Sequence, residues 1–355
     1  MNSVICLFGY SKKNNLYFSN MILVTGATGL VGSHLALRLI ENGEKVRAMY
    51  RNETSITQVQ SLFNAYDKLS MFESIEWVKA DINDITSLEL AFKNIERVYH
   101  CAALISFDPK DEQALRKTNI EGTANIVNFC LANQIQKLCY VSSIATLGDL
   151  KETETIFSEK TEWNPEKNHS DYAITKYGAE IEVWRGQQEG LSVIVFNPGV
   201  ILGPGFWNNG SGALFTAITK GMPFYTHGST GFVGISDVTK LLIQGMNSEI
   251  SGSRFVLVAE NCTFKEILSL IAKTLQLKEP TRAIPVWISE LAWRLDSLVA
   301  IVFRKKRKFT KDTARASQEK NSYSNLKVKE TFNYEFKNCK DSIFETVTVQ
   351  SKMKR

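Results

Sequence analysis

Residues 25–32 read Thr-Gly-Ala-Thr-Gly-Leu-Val-Gly, directly after the apolar run Met21-Ile22-Leu23-Val24 and at the start of an amphipathic stretch, Leu30–Glu41. A strand, a glycine turn and a helix thus follow one another without a gap. Within the turn, Gly26 permits the tight reversal, Gly29 lets a pyrophosphate approach the backbone, and Gly32 lets the helix pack closely. The free N–H groups and the dipole at the helix start then favour phosphate, with Thr28, Leu30 and Val31 completing the cradle. Glycines also end strands for no functional reason. Here they stand in the strand–turn–helix context that phosphate binding requires.

Downstream, short β-branched runs alternate with helical patterns. The runs are Lys45–Met49, Ile75–Lys79, Arg97–Cys101, Lys137–Val141 and Ser192–Phe196. The helical patterns are Ile85–Phe92, Asp111–Asn133 and Ser170–Gln188. In the second of these, Leu115, Ile120, Ala124, Val127 and Leu131 predict one continuous apolar stripe. This alternation predicts an α/β fold, a Rossmann-type doubly wound parallel sheet with a smaller C-terminal α/β substrate lobe. The expected organisation is a loose extension over 1–20 and a nucleotide-binding domain over 21–197, rejoined by 232–258. A substrate lobe follows from 198–231 and 259–345, with a tail over 346–355.

The 355 residues are 44% hydrophobic and 22% charged, a globular composition that excludes disorder and low complexity for the bulk of the chain. Cys6, Cys101, Cys130, Cys139, Cys262 and Cys339 lie scattered, without metal-ligand spacing. No metal site or disulfide framework is expected, and a reducing, cytoplasmic location is. From Arg304 onward, 15 basic residues face 6 acidic ones, a local net charge of +9 that begins with the run Arg304–Lys308. A solvated surface is the simpler reading, and no nucleic acid is expected. Val286–Phe303 is interrupted by Glu290, Arg294 and Asp296, so it reads as an amphipathic helix packed on the protein. Contact of residues 286–308 with a membrane surface is the less favoured alternative.

The second run ends in Tyr50-Arg51. A carboxylate at that strand end would bind the ribose 2′-OH of NAD, whereas a guanidinium suits the 2′-phosphate of NADP. NADP(H) is therefore favoured, NAD(H) is the alternative, and a surface arginine is the plain reading. The third run ends in Asp81-Ile82, where Asp81 could accept from an adenine amine or simply cap a helix. Tyr172 and Lys176 stand four apart on one predicted helix face. An ammonium beside a phenol favours phenolate and lowers its pKa. Val141-Ser142-Ser143, at a strand end, offers a hydroxyl for the same substrate oxygen.

With these pieces in order, the sequence resembles the extended short-chain dehydrogenase/reductase superfamily. Similarity is closest to its dihydroflavonol-reductase and 3β-hydroxysteroid-dehydrogenase-like branch. The matching stretches are Thr25–Gly32, Asp81–Asp84, His100–Ala103, Asn119–Thr123, Val141–Ser143, Tyr172–Lys176 and Asn197–Gly205. The resemblance implies that Tyr172 is the general acid/base, and that Lys176 lowers its pKa and binds the nicotinamide ribose. It gives Ser143, ahead of Ser142, the substrate oxygen. Asn119 would orient groups near the cofactor, Ala102 and Ala103 would pass their backbone along it, and Pro198 would begin the loop beside the nicotinamide. Two departures stand out. Asn197 replaces the usual arginine before that proline, and no second cation for a 2′-phosphate stands near Gln58.

The implied activity is an NADP(H)-dependent interconversion of a carbonyl and an alcohol on a small, fairly apolar substrate. The alternatives are an NAD-dependent sugar-nucleotide epimerase or dehydratase and a non-catalytic NAD(P)-sensing protein. A small-molecule substrate is the expected partner, with a homodimer as the oligomeric alternative. Phe206, Trp207, Phe215, Phe224, Tyr225 and Phe232 could line an apolar pocket, but core is the favoured reading.

Overall fold

The computed structural model describes residues 21–207, 210–303, 307 and 309–353, so the extension expected over residues 1–20 lies outside them. Strand β1 (Met21–Thr25) is buried along nearly its whole length, as the centre of a parallel sheet requires. Strands β2 (Lys45–Tyr50), β3 (Glu76–Lys79), β4 (Arg97–His100), β5 (Lys137–Val141) and β6 (Val193–Pro198) follow the expected runs. The second half supplies β7 (Val200–Leu202), β8 (Phe224–Tyr225), β9 (Ser229–Gly234), β10 (Ser253–Leu257), β11 (Glu260–Thr263) and β12 (Arg282–Ala283). The main sheet has seven strands in the order β10-β6-β5-β4-β1-β2-β3. Every pairing in it is parallel. Chain order reverses between β1 and β4, and the carboxyl ends of the strands open a crevice there.

Alternation along β1 sorts the core into two layers. Ile22 and Val24 face Leu35, Leu39, Val59, Val238 and Leu242, from the helices Leu30–Glu41, Thr54–Ala65 and Ile235–Asn247. Leu23 faces the opposite layer, with Leu88, Ile126, Val127, Ala179 and Val183 from Ile85–Ala91, Gly122–Ala132 and Asp171–Gln188. The helix Thr54–Ala65 has no counterpart among the expected elements. Its face of Val59, Leu62 and Phe63 is thinned by surrounding Ser, Thr, Gln and Asn, which blunts the periodicity.

The helix expected over Asp111–Asn133 is not continuous. Glu112–Leu115 is α-helical, Arg116–Glu121 forms a π-helical turn, and Gly122–Ala132 resumes the α-helix. The wider turn moves the register, so the buried line runs through Leu115, Asn119, Thr123, Ile126 and Cys130. Ile120, Ala124 and Leu131 of the expected stripe are only half-buried.

The return to the main sheet, expected from residue 232, consists of the helix Ile235–Asn247 and β10. Residues 229–234 instead pair with β7 and β11 in a three-stranded sheet. That sheet carries a third core in which Trp207, Phe215 and Phe232 are buried, while Phe224 is exposed. Residues 346–353, expected as a tail, complete the helix Cys339–Met353. Its Val349 continues the face of Ile343 onto Leu62 and Ala65. Among the described residues, no helix is long and apolar enough to cross a membrane.

Candidate active site

The glycine turn leaves β1 at the reversal point. Gly26 has φ +65°, and a Cβ there would stand 2.7 Å from the Ala102 backbone. Only glycine meets both demands. A Cβ on Gly32 would overlap the Gly26 carbonyl, so this glycine admits the helix to the turn itself. Gly29 is the N-cap, no side chain caps the helix start, and a Cβ at Gly29 would meet only the Gly26 carbonyl at 3.4 Å. The first-turn N–H groups beside Thr28, Leu30 and Val31 are therefore not covered by a side-chain cap, as a diphosphate would need.

Behind the turn, the Thr25 hydroxyl hydrogen-bonds His100 Nδ1 at 2.7 Å and accepts from the Ala102 N–H at 3.2 Å. The far ring nitrogen of His100 meets Thr123 Oγ1 at 3.0 Å. Ala102 and Ala103 thus pass directly beside Gly26. At the ends of β2 and β3, Arg51 and Asp81 come together, Nη1 to Oδ2 at 4.0 Å, and both side chains are substantially exposed. Asp81 Oδ1 also accepts from the Asn83 N–H at 2.9 Å, and Ile82 is buried.

Asn119, carried inward by the π-helical turn, is buried and spans two elements. Its amide donates to the Leu104 carbonyl at 3.0 Å and to Thr175 Oγ1 at 3.1 Å, and its oxygen accepts from the Leu104 N–H at 2.8 Å. It ties the chain after β4 to the helix that carries Tyr172 and Lys176, without bonding either residue.

Ser143 follows the end of β5, and its hydroxyl faces the Tyr172 phenol closely enough to draw down its pKa. Ser142 points the other way, donating to Glu180 Oε2 at 2.6 Å. Tyr172 packs against Phe107, with ring centroids 5.6 Å apart. Desolvation pushes its phenol above the usual tyrosine range, while the nearby Ser143 hydroxyl pulls it down. Lys176 is not among the groups that shift this phenol in the structure. Lys176 is buried and donates to the Tyr140 hydroxyl at 2.7 Å and the Val141 carbonyl at 2.9 Å. Burial lowers its own pKa to about 7, opposed by the charge of Glu180.

A family model described as the NAD dependent epimerase/dehydratase family matches residues 22–245. The chain belongs to this family. It is an NAD(P)-dependent oxidoreductase of the extended short-chain dehydrogenase/reductase type. A putative dihydroflavonol 4-reductase of Synechocystis sp. is 28% identical over 79% of this chain and 80% of its own length. Sterol demethylase protein B of Methylococcus capsulatus is 29% identical over 74% of this chain and 77% of its own length. The crystal structure of a yeast methylglyoxal/isovaleraldehyde reductase, Gre2, complexed with NADPH superposes with a TM-score of 0.72. It covers 94% of this chain and 99% of that one at 18% identity, a likeness of fold.

In this family member, the departure at Asn197 has a structural answer. Asn197 Nδ2 donates to the Ser143 carbonyl at 3.1 Å, to Thr146 Oγ1 at 2.9 Å and to Glu180 Oε2 at 2.9 Å. Pro198 follows it at the end of β6. The guanidinium comes from the neighbouring strand, where Arg254 of β10 reaches Glu180 at 3.3 Å. Glu180 therefore gathers Ser142, Thr146, Asn197 and Arg254 behind the Ser143 corner. Its spacing from Tyr172 and Lys176, eight and four residues along one helix face, was the available signal for it. A cavity of about 480 Å³ behind this helix is lined by Trp163, Tyr177, Trp184 and Arg254, but not by Ser143, Tyr172 or Lys176. It is not the place where those three would meet a substrate. Elsewhere, Glu260, Cys262 and Cys339 bring their ligand atoms within 4.8 Å of one another, a grouping invisible in the spacing because the chain separates its members.

The buried histidines make stability pH-dependent. Burial holds His100 at about 3 and His34 at about 4, below the ordinary value of 6.5. Above pH 6.5 both states are neutral at these sites. Below it the unfolded chain takes up protons that the folded chain refuses, so stability falls with pH. Melting temperature should decline between about pH 6.5 and 5, before carboxylates titrate, and the decline should be shallower in His34→Gln. A flat profile would show that these rings are not held neutral.

Proposed function

We propose that this chain is an NADP(H)-dependent oxidoreductase interconverting a carbonyl and an alcohol on a small, fairly apolar substrate, with Tyr172 as general acid/base. The observation that carries the reading is the placing of Tyr172, half-buried beside the Ser143 hydroxyl, one helical turn from the buried Lys176 on the same helix. When bound, the nicotinamide group supplies or accepts the hydride. The turn 26–32 would hold its diphosphate, and Lys176 would lie toward its ribose. Ser143 Oγ holds the substrate oxygen in line with the phenol. Tyr172 gives its proton to that oxygen during reduction and recovers one from the alcohol during oxidation. Phe107, beside Tyr172, gives the substrate an apolar neighbour. Aldehydes, ketones, flavonoid-like and steroid-like alcohols assayed with NADPH and NADP test the reading. Cofactor binding without turnover on any of them would favour a nucleotide-sensing role.

Arg51 carries the cofactor preference. A 2′-phosphate accepts paired hydrogen bonds from a guanidinium, and one such contact at a partly exposed site gives ~1.5–3 kcal/mol, roughly a ten- to hundredfold preference. Arg51→Ala is expected to remove most of that preference through KM for NADP. One observation favours the other cofactor: Asp81 already stands 4.0 Å from Arg51. If the unaltered protein binds NAD as tightly as NADP, or copurifies with NAD, the guanidinium belongs to Asp81 and the epimerase reading gains.

A further inference from the structure

Glu260 and Cys262 stand two residues apart on β11, so their side chains leave the same face of the strand. The helix Cys339–Met353 packs on β9 and β7 of that small sheet and begins with Cys339. The Cys339 N–H donates to Glu260 Oε2, which sets the start of the helix against the strand. Cys339 is buried, Cys262 half-buried and Glu260 exposed. Their ligand atoms, two sulfurs and a carboxylate oxygen, all lie within 4.8 Å of one another. No other such gathering of three metal-ligating side chains occurs among the described residues.

We propose that Glu260, Cys262 and Cys339 bind a thiophilic divalent cation, Zn²⁺ first among them, and that the ion clamps the closing helix to β11. Atoms at the corners of a tetrahedral zinc site stand roughly 3.5–3.8 Å apart, so closure by about 1 Å completes the geometry. Two sulfurs select against Mg²⁺ and Ca²⁺, which take oxygen ligands. The carboxylate separates a cation site from a plain thiol pair, because a disulfide would join the sulfurs and leave Glu260 with no part. Here the backbone hydrogen bond from Cys339 already holds that carboxylate, as outer partners of metal ligands do. As two metal–sulfur bonds form, two thiol protons pass to solvent, and the carboxylate contributes an oxygen lone pair. Two thiolates and a carboxylate outweigh the ion by one negative charge. That charge lies at the start of a 15-residue helix, where the dipole favours it. The fourth corner is left to water, which reaches it past the exposed Glu260.

The far end of the same helix places Val349 against Leu62 and Ala65, and Gln350 Oε1 accepts from the Gly205 N–H at 2.7 Å. Fixing the helix start therefore steadies the seam between the small sheet and the helix Thr54–Ala65 of the nucleotide-binding half.

The full chain, kept reduced with a phosphine, is to be titrated with Cd²⁺ while the thiolate-to-cadmium absorption in the ultraviolet is followed. Zn²⁺ and Mg²⁺ are then added as competitors. We expect one equivalent of Cd²⁺ to bind with release of two protons, Zn²⁺ to displace it and Mg²⁺ to leave it in place. Cys262→Ser and Glu260→Gln should each weaken binding by at least about 10–100-fold. Neither side chain is fully buried, so both variants should keep the melting temperature of the metal-free chain. Zn²⁺ should raise that temperature in the unaltered chain and not in Cys262→Ser. No uptake, or uptake undiminished in both variants, would overturn the proposal, the latter placing the metal on other thiols. A disulfide between Cys262 and Cys339 that persists under the phosphine would also overturn it and make the pair a redox couple. None of these readouts depends on the reaction the candidate active site performs.

Discussion

Tyr172→Phe is expected to lower kcat by about 10²–10⁴ while leaving cofactor affinity almost unchanged. The substitution removes one oxygen and keeps the ring that packs against Phe107 at 5.6 Å. What disappears is the phenolic proton beside the Ser143 hydroxyl. The proton matters only when charge develops on the substrate oxygen, so the loss should fall on turnover and not on binding. Steady-state kinetics on whichever carbonyl the substrate panel identifies, beside a fluorescence titration of NADPH, separates the two. Near-normal kcat would remove Tyr172 from the chemistry.

Glu180→Ala should be the most damaging single change to stability. Glu180 is 2% exposed and accepts from Ser142, Thr146 and Asn197 besides pairing with Arg254. Its removal leaves the guanidinium and three shorter donors without their common acceptor. Breaking one side of a buried, hydrogen-bonded ion pair typically costs about 3–5 kcal/mol. Urea unfolding monitored by circular dichroism measures this directly. Glu180→Gln keeps the volume and two acceptor lone pairs, and should recover part of the loss. A cost below about 1 kcal/mol for the alanine variant would mean that water replaces the carboxylate easily.

The parts of this molecule legible in the sequence are those where chemistry and local geometry coincide. The glycine turn reads directly because Gly26 and Gly32 are each excluded from being anything else by backbone atoms within a few residues or at the adjoining strand end. Tyr172 and Lys176 read directly because one helix face fixes their relation. Glu180 and Arg254 did not, since their partnership spans β10 and depends on a strand pairing that no local pattern announces. The expected helix stripe through Ile120 and Ala124 failed for another reason. Hydrophobic spacing of about 3.6 assumes a constant pitch, and the turn at Arg116–Glu121 breaks it. Val286–Val302 was legible as a helix but not in its orientation, with Trp287, Leu291, Leu295 and Leu298 exposed, because periodicity locates an apolar stripe without saying what faces it.

The wide turn at Arg116–Glu121 behaves geometrically as one surplus residue. Shortening the chain by Lys117 would let the helix close into uniform α geometry and swing everything before it by about 100° relative to everything after it. Asn119 could then reach Leu104 or Thr175, but no longer both. For protein engineers this makes the segment intolerant of length change. For anyone aligning a relative that lacks the turn, a one-residue gap belongs here, and an ungapped alignment would match Asn119 to a neighbour that performs none of its three hydrogen bonds.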